Sequence, residues 1–195
     1  MIRFCDIVFS VFGLLLLSPL FAIVALWIVI DNAGPVFYRQ QRVGRNNKDF
    51  YLLKFRSMRT NADKESLITI GDRDPRVTRA GYYLRKYKLD ELPQLWNVLI
   101  GDMSLVGPRP EVRKYVDLYT DEQRQVLSVR PGITDYASIE YIDESRLLAQ
   151  SENPDKTYIE TIMPAKIALN MRYINHQTIG EYFKILFMTI TKIIR

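Results

Sequence analysis

The chain has 195 residues, enough for a compact domain with its own core. Its 27 Lys and Arg against 22 Asp and Glu leave a charge of +5, which suits nucleic acid, anionic lipid or phosphorylated small molecules. One cysteine (Cys5) and one histidine (His176) exclude an internal disulfide, a thiolate cluster or a His-rich site, so carboxylates must carry any acid–base or nucleophilic chemistry.

No charge interrupts the chain between Asp6 and Asp31. Those 24 residues, IVFSVFGLLLLSPLFAIVALWIVI, would make a helix of about 36 Å, long enough for a bilayer core. A cleavable signal peptide fits poorly, because the run is too long and no small-residue cleavage site ends it. Ser18-Pro19 lies in its middle. Pro19 removes the hydrogen bond to the Leu15 carbonyl, and the Ser18 hydroxyl is expected to bond back to the Leu14 carbonyl. Arg3 precedes the run and Arg39, Arg42, Arg45 and Lys48 follow it, so both flanks lean cytoplasmic. A kinked spanning helix and a helix that enters, bends and returns both remain open.

A β-hairpin follows. Val36 to Arg42 and Asp49 to Arg56 carry strand-type residues, joined through Gly44-Arg45-Asn46-Asn47. The two-residue period puts Lys54 and Arg56 on one face, which in most strands is simply a solvated face. Asn61 to Asp74 is polar and reads as a loop. Thr78 is expected to cap a helix through Lys88, which brings Arg85 towards Asp90.

The stretch Lys88 to Pro110, KLDELPQLWNVLIGDMSLVGPRP, is the chemical centre. Leu92, Leu95, Trp96 and Leu99 fall on one helical stripe, Pro93 fits a first turn, and Gly101 reads as the stop. Asp90 then sits at the N-cap and Glu91 at the first helical position. Acids there usually do nothing but cap. Here Arg76, Arg79, Arg85, Lys86 and Lys88 precede the pair and Arg109 follows it between two prolines, more cations than capping requires.

Further on, Thr120-Asp121-Glu122-Gln123 is a capping-box pattern for a helix ending by Arg130-Pro131-Gly132. Ile133 to Asp155 is acidic and reads as irregular. Pro164 opens a helix through Tyr173, and Gly180 precedes the last one. In that last helix Phe183, Leu186, Phe187, Ile190 and Ile194 form a stripe with Lys184, Lys192 and Arg195 outside it. It fits the headgroup plane or the protein's own core equally. Repeats and low-complexity tracts are absent.

These residues, in this order, resemble the bacterial sugar transferases, the small monotopic phosphoglycosyl transferases. The resemblance covers nearly the whole chain. It runs from Ser18-Pro19 through Pro35-Val36-Phe37, Gln41-Arg42-Val43-Gly44 and Lys54-Phe55-Arg56-Ser57-Met58. It continues in Leu89-Asp90-Glu91-Leu92-Pro93-Gln94-Leu95, Asn97-Val98-Leu99, Gly101-Asp102-Met103-Ser104, Val106-Gly107-Pro108-Arg109-Pro110 and Arg130-Pro131-Gly132-Ile133-Thr134.

The resemblance implies transfer of a sugar 1-phosphate from a UDP-sugar to a membrane polyprenol phosphate such as undecaprenyl phosphate. UMP leaves and Mg²⁺ assists, at the start of O-antigen, capsule or exopolysaccharide assembly. It implies an α+β, mainly helical fold with an N-terminal re-entrant membrane helix broken at Ser18-Pro19, a small β-hairpin and interfacial amphipathic helices. Residues 1–31 would be the helix–break–helix. Residues 32–195 would be a catalytic domain on the cytoplasmic face of the bacterial inner membrane, including a C-terminal interfacial helix. The family's Asp-Glu dyad falls on Asp90 and Glu91, with Asp90 as nucleophile, and its Pro-Arg-Pro arginine on Arg109. One departure stands out: members often continue past Pro-Gly-Ile-Thr with Gly-Trp, whereas Asp135-Tyr136-Ala137-Ser138 follows here, then an acidic stretch.

The residues agree chemically. Lys54, Arg56, Arg85 and Arg109 are candidates to hold the diphosphate, and the adjacent dyad Asp90 and Glu91 suits Mg²⁺. A membrane scaffold would use the same basic face without needing Asp90. No nucleic-acid partner is expected, since it would leave the apolar run without a purpose. A homo-oligomer stays open.

Overall fold

The computed structural model describes residues 1–60, 62 and 74–194. The loop expected over 61–74 lies outside the described residues apart from Ala62 and Asp74, and so does Arg195.

α1 (Ile2–Asp31) runs unbroken through Pro19. Proline has no N–H for the carbonyl four residues back, that of Leu15. The Ser18 hydroxyl donates to that carbonyl at 2.8 Å. The bond goes to Leu15 and not to the expected Leu14, because Leu15 is the acceptor that Pro19 leaves open. The expected break is therefore one substituted hydrogen bond inside a continuous helix.

Along α1 a narrow stripe containing Asp6, Ser10, Val24 and Ile28 is buried, while Leu15, at 71% exposure, and its apolar neighbours stay outside. Both ends are tied down. Arg3 donates to the carbonyls of Val98 and Leu99 at 2.6 and 2.9 Å. Asp6 Oδ1 accepts from the Ser104 hydroxyl, the Leu105 N–H and the Tyr182 hydroxyl, each at 3.0 Å. At the far end Asp31 accepts the Ala80 N–H at 2.9 Å, and Arg56 donates to the carbonyls of Asn32 and Ala33.

The expected hairpin forms. β1 (Phe37–Val43) pairs antiparallel with β2 (Asp49–Phe55), with Phe37 opposite Phe55 and Val43 opposite Asp49. Asn46 and Asn47 turn the chain at φ 57° and 61°, a region asparagine tolerates. α2 (Arg79–Lys86) starts at Thr78, whose hydroxyl accepts the Gly81 N–H at 3.0 Å. It stops short of Lys88, which takes φ 57°.

α3 (Gln94–Ile100) ends at Gly101, where φ 100° favours glycine. Its start corrects the expectation. Asp90 and Glu91 lie before it, in the 3₁₀ turn Leu89–Glu91, and neither caps it. The core side also differs. Gln94, Asn97 and Val98 are buried, whereas Trp96 is half exposed and Leu95 meets α1 at Gly13. Asn97 decides this rotation. Its Oδ1 accepts the Leu53 N–H at 2.9 Å and its Nδ2 donates to the Tyr51 carbonyl at 2.8 Å, standing in for a further strand on β2.

β3 (Ser104–Val106) pairs parallel with the later strand β4 (Gly132–Thr134), and α4 (Arg113–Val116) lies in the crossover between them. The capping box is there: Thr120 accepts the Gln123 N–H at 3.2 Å, and Gln123 accepts the Thr120 N–H at 3.0 Å. It opens a six-residue 3₁₀ segment, Gln123–Ser128, and not an α-helix, because Val129 is already extended. Beside β3 and β4, Gly107 and Gly132 meet backbone to backbone. A Cβ on Gly132 would overlap the Gly107 amide nitrogen, so only glycine fits.

The region expected as irregular holds three short helices, α5 (Tyr136–Glu140), α6 (Glu144–Ala149) and α7 (Pro154–Thr157). A π-turn over Tyr158–Ile162 leads into α8 (Met163–Asn175), with Pro164 in its first turn, and α9 (Ile179–Ile194) closes the fold. Tyr182 and Ile185 of α9 are fully buried, packed near Val98, Met103 and Val106. Each such side chain contributes on the order of 1.5–3 kcal/mol. The expected stripe points the other way: Phe183 and Ile190 are exposed, and Phe187 is 69% exposed.

Candidate active site

Three elements converge on a cleft of about 960 Å³. The 3₁₀ turn brings Asp90 and Glu91, the end of β2 brings Lys54, and the loop after β3 brings Arg109. Arg85 of α2 and Lys88 line the same wall. Apolar side chains, among them Ile133, Ile139, Leu186 and Ile190, line the same cleft.

The two acids are in different electrostatic states. Glu91 receives both arms of the Arg109 guanidinium, one at 3.1 Å to Oε2, and Lys54 Nζ at 3.2 Å. Burial pushes its carboxyl up, but Arg109 and Lys54 outweigh burial and hold it well below the usual range. Asp90 is 8% exposed and takes no hydrogen bond or ion pair among the described residues. Burial pushes its carboxyl up and the Glu91 charge adds to this, with Lys54, Arg85 and Lys88 pulling the other way. Burial likewise lowers the Lys54 ammonium. Glu91 is clamped and Asp90 is free to meet a ligand.

Of the predicted residues, Lys54, Arg85, Asp90, Glu91 and Arg109 line the one cleft. Arg56 borders it, but its guanidinium is engaged with the carbonyls after α1 and fills the space over Gly34. Ser18 and Pro19 sit on the exposed outer face of α1, away from the cleft.

Sequence reasoning missed the supports behind Arg109. Its backbone N–H donates to Asp135 Oδ2 at 2.9 Å. Arg42, counted only as a membrane-flanking charge, donates to the Pro110 carbonyl at 3.0 Å and to Glu111 at 3.2 Å. The Tyr158 hydroxyl donates to the other Glu111 oxygen. No spacing rule joins positions 42, 111 and 158. Arg42 stood inside the Gln41-Arg42-Val43-Gly44 motif, and Glu111 directly follows the motif that ends at Pro110.

Among the described residues no group of three His, Cys, Asp or Glu side chains gathers round one point. Mg²⁺ is commonly held by one or two carboxylates with substrate phosphate oxygens and water, and Asp90 with the outer lone pairs of Glu91 fits that set.

The family model for bacterial sugar transferases matches residues 1–195. The chain belongs to the bacterial sugar transferase family. Among curated relatives of this sugar transferase is the UDP-N-acetylgalactosamine-undecaprenyl-phosphate N-acetylgalactosaminephosphotransferase of Aeromonas hydrophila. It is 45% identical over 142 residues, covering 70% of this chain and 33% of the relative. The undecaprenyl-phosphate glucose phosphotransferase of Komagataeibacter xylinus is 38% identical over 197 residues, 97% of this chain and 35% of its own length. The exopolysaccharide production protein PSS of Rhizobium leguminosarum bv. phaseoli is 38% identical over 195 residues, 96% of this chain and 92% of its own. The chain thus spans about a third of the Aeromonas and Komagataeibacter proteins and nearly all of the Rhizobium one.

Proposed function

We propose that this sugar transferase moves a sugar 1-phosphate from a UDP-sugar to polyprenol phosphate, undecaprenyl phosphate by analogy with its relatives, releasing UMP. The observation that carries the reading is the contrast within the dyad: a buried Asp90 with no hydrogen bond or ion pair among the described residues, beside a Glu91 fixed by Arg109 and Lys54. Transfer of a phosphoryl-linked group requires an in-line nucleophile and neutralisation of spread charge. Asp90 supplies the first, and Arg109, Lys54, Arg85 and Lys88 the second.

An Asp90 carboxylate oxygen attacks the β-phosphorus of the UDP-sugar. The bond from that phosphorus to the bridging oxygen breaks, and UMP leaves with the electron pair. A phosphate oxygen of the lipid then attacks the same phosphorus and frees the Asp90 carboxylate, giving a polyprenyl diphosphate sugar. Glu91 fixes the Arg109 guanidinium and the Lys54 ammonium at the cleft, leaving their remaining N–H groups for the phosphates. Bound with the diphosphate against Asp90 and Glu91, Mg²⁺ would supply further neutralisation of phosphate charge.

A lipid acceptor calls for a site at a membrane surface, and the outer face of α1 with exposed Trp96, Phe183, Phe187 and Ile190 suits one. We assign α1 a re-entrant path with both ends on the cytoplasmic side. Arg3 and Asp6 at one end and Asp31 at the other bind the same domain, and a spanning helix would separate them by a bilayer. Cysteine labels at residues 2 and 40, in a Cys5→Ser background, are expected to react only from the cytoplasmic side. Labelling of residue 2 from outside would overturn the re-entrant assignment.

The activity itself is tested by UMP release in nanodiscs containing polyprenol phosphate, across UDP-N-acetylgalactosamine, UDP-glucose and UDP-galactose. Lipid-dependent UMP release with at least one donor is expected. None with any UDP-sugar would reject the reading.

A further inference from the structure

We infer that Asp135 is the positioning residue that holds Arg109 in place for the substrate diphosphate, an inference resting on the phosphate role given to Arg109 above. Asp135 follows β4 and is 0% exposed. Its Oδ1 accepts the Ser138 N–H and so caps α5, while its Oδ2 accepts the Arg109 N–H at 2.9 Å.

Capping alone does not explain this side chain. A single short oxygen satisfies a helix N-terminus, and serine or threonine would do it without placing a charge in a fully buried site. The second oxygen is what Asp135 adds, and it goes to the backbone of the arginine. Pro108 fixes its own φ and Pro110 restricts Arg109 to extended backbone, so the segment is already stiff and the Asp135 bond to the Arg109 amide sets where it lies. Holding its amide fixes the point from which the guanidinium reaches Glu91. The Asp135 charge also favours the Arg109 cation. The same carboxylate joins this loop to α5, whose Ala137 and Ser138 line the cleft. One buried side chain thus ties the Arg109 loop to the start of α5 at the same cleft.

Asp135→Ser separates the two roles. The serine hydroxyl can still accept the Ser138 N–H, but a single oxygen on a shorter arm cannot also reach the Arg109 N–H. A misplacement of about 1 Å at a positioning group can lower turnover by up to about a hundredfold. We expect Asp135→Ser to fold with a somewhat lowered thermal midpoint, because the Arg109 N–H loses its acceptor, and to lower kcat at least tenfold. In an Arg109→Ala background the same change is expected to cost no further turnover, since it acts through an arginine that is gone.

Asp135→Asn, nearly isosteric, faces one of the two N–H donors with its own NH₂. It is expected to give a smaller loss that also vanishes in the Arg109→Ala background, and it stands in should Asp135→Ser fold poorly. Near-normal turnover of both variants, or losses that multiply with Arg109→Ala, would overturn the inference. Full activity of Arg109→Ala on its own would instead reject the phosphate role of Arg109.

Discussion

Asp90→Asn is expected to abolish UMP release while making the folded protein more stable at pH 7. The first half follows from chemistry, because an amide cannot attack phosphorus as a carboxylate does. The second follows from burial. Asp90 is nearly enclosed, takes no hydrogen bond or ion pair among the described residues and is raised above the ordinary aspartate range, so keeping it ionised opposes folding. The stability gain of the amide should be largest at neutral pH and shrink as pH falls through the raised value, where wild-type Asp90 takes up its proton. Glu91→Gln should behave in the opposite sense. Its carboxyl is held well below the usual range by Arg109 and Lys54, so its contribution is present above the ordinary glutamate value and lost below it.

Two further readouts decide how Asp90 acts. If it is the nucleophile, wild type exchanges labelled UMP into UDP-sugar without lipid, and the peptide containing Asp90 gains the mass of a sugar phosphate. Both signals vanish in Asp90→Asn. The acid limb of the lipid-free reaction should lie above the ordinary aspartate range, following the ionisation of Asp90. Normal turnover with lipid but no exchange and no adduct would leave Asp90 a metal-holding role only. A lower thermal midpoint for Asp90→Asn would show that its charge is paired after all.

Local signals in the sequence were reliable where a side chain acts within a few residues of itself. Thr78, Gly101 and Pro164 do what their spacing predicts, and the Thr120–Gln123 box closes its hydrogen bonds although it opens a 3₁₀ segment and not the expected helix. What stayed hidden was long-range. The rotation of α3 is set by Asn97 bonding to β2 more than forty residues away, which no helical periodicity encodes. Asp6 looked like the charged boundary of an apolar run, yet it joins α1 to β3 and α9. The dyad could be located from its motif. Its internal asymmetry could not, because that depends on which carboxylate Arg109 reaches once β3 and β4 have paired. Arg56 shows the reverse: its position in a basic strand suggested phosphate, and the fold engaged it at the end of α1.

Arg109→Ala is expected to lower kcat/KM by about a hundredfold to a thousandfold, the cost of removing one donor aimed at developing charge. The Arg109 side chain keeps 32% of its surface exposed at the cleft, so deleting it should leave the core packed. It will not be silent in stability, because Glu91 is then a buried carboxylate with Lys54 as its remaining ion-pair partner. A modest fall in thermal midpoint at pH 7 is expected, and Arg109→Ala with Glu91→Gln should recover part of it without recovering turnover. Arg109→Lys retains charge but cannot present two parallel N–H groups. Partial activity in that variant would point to charge as the main contribution, and activity no better than alanine would point to the fork. Near-normal UMP release by Arg109→Ala would mean the guanidinium serves only to hold Glu91, and the diphosphate would then have to rest on Lys54, Arg85 and Lys88.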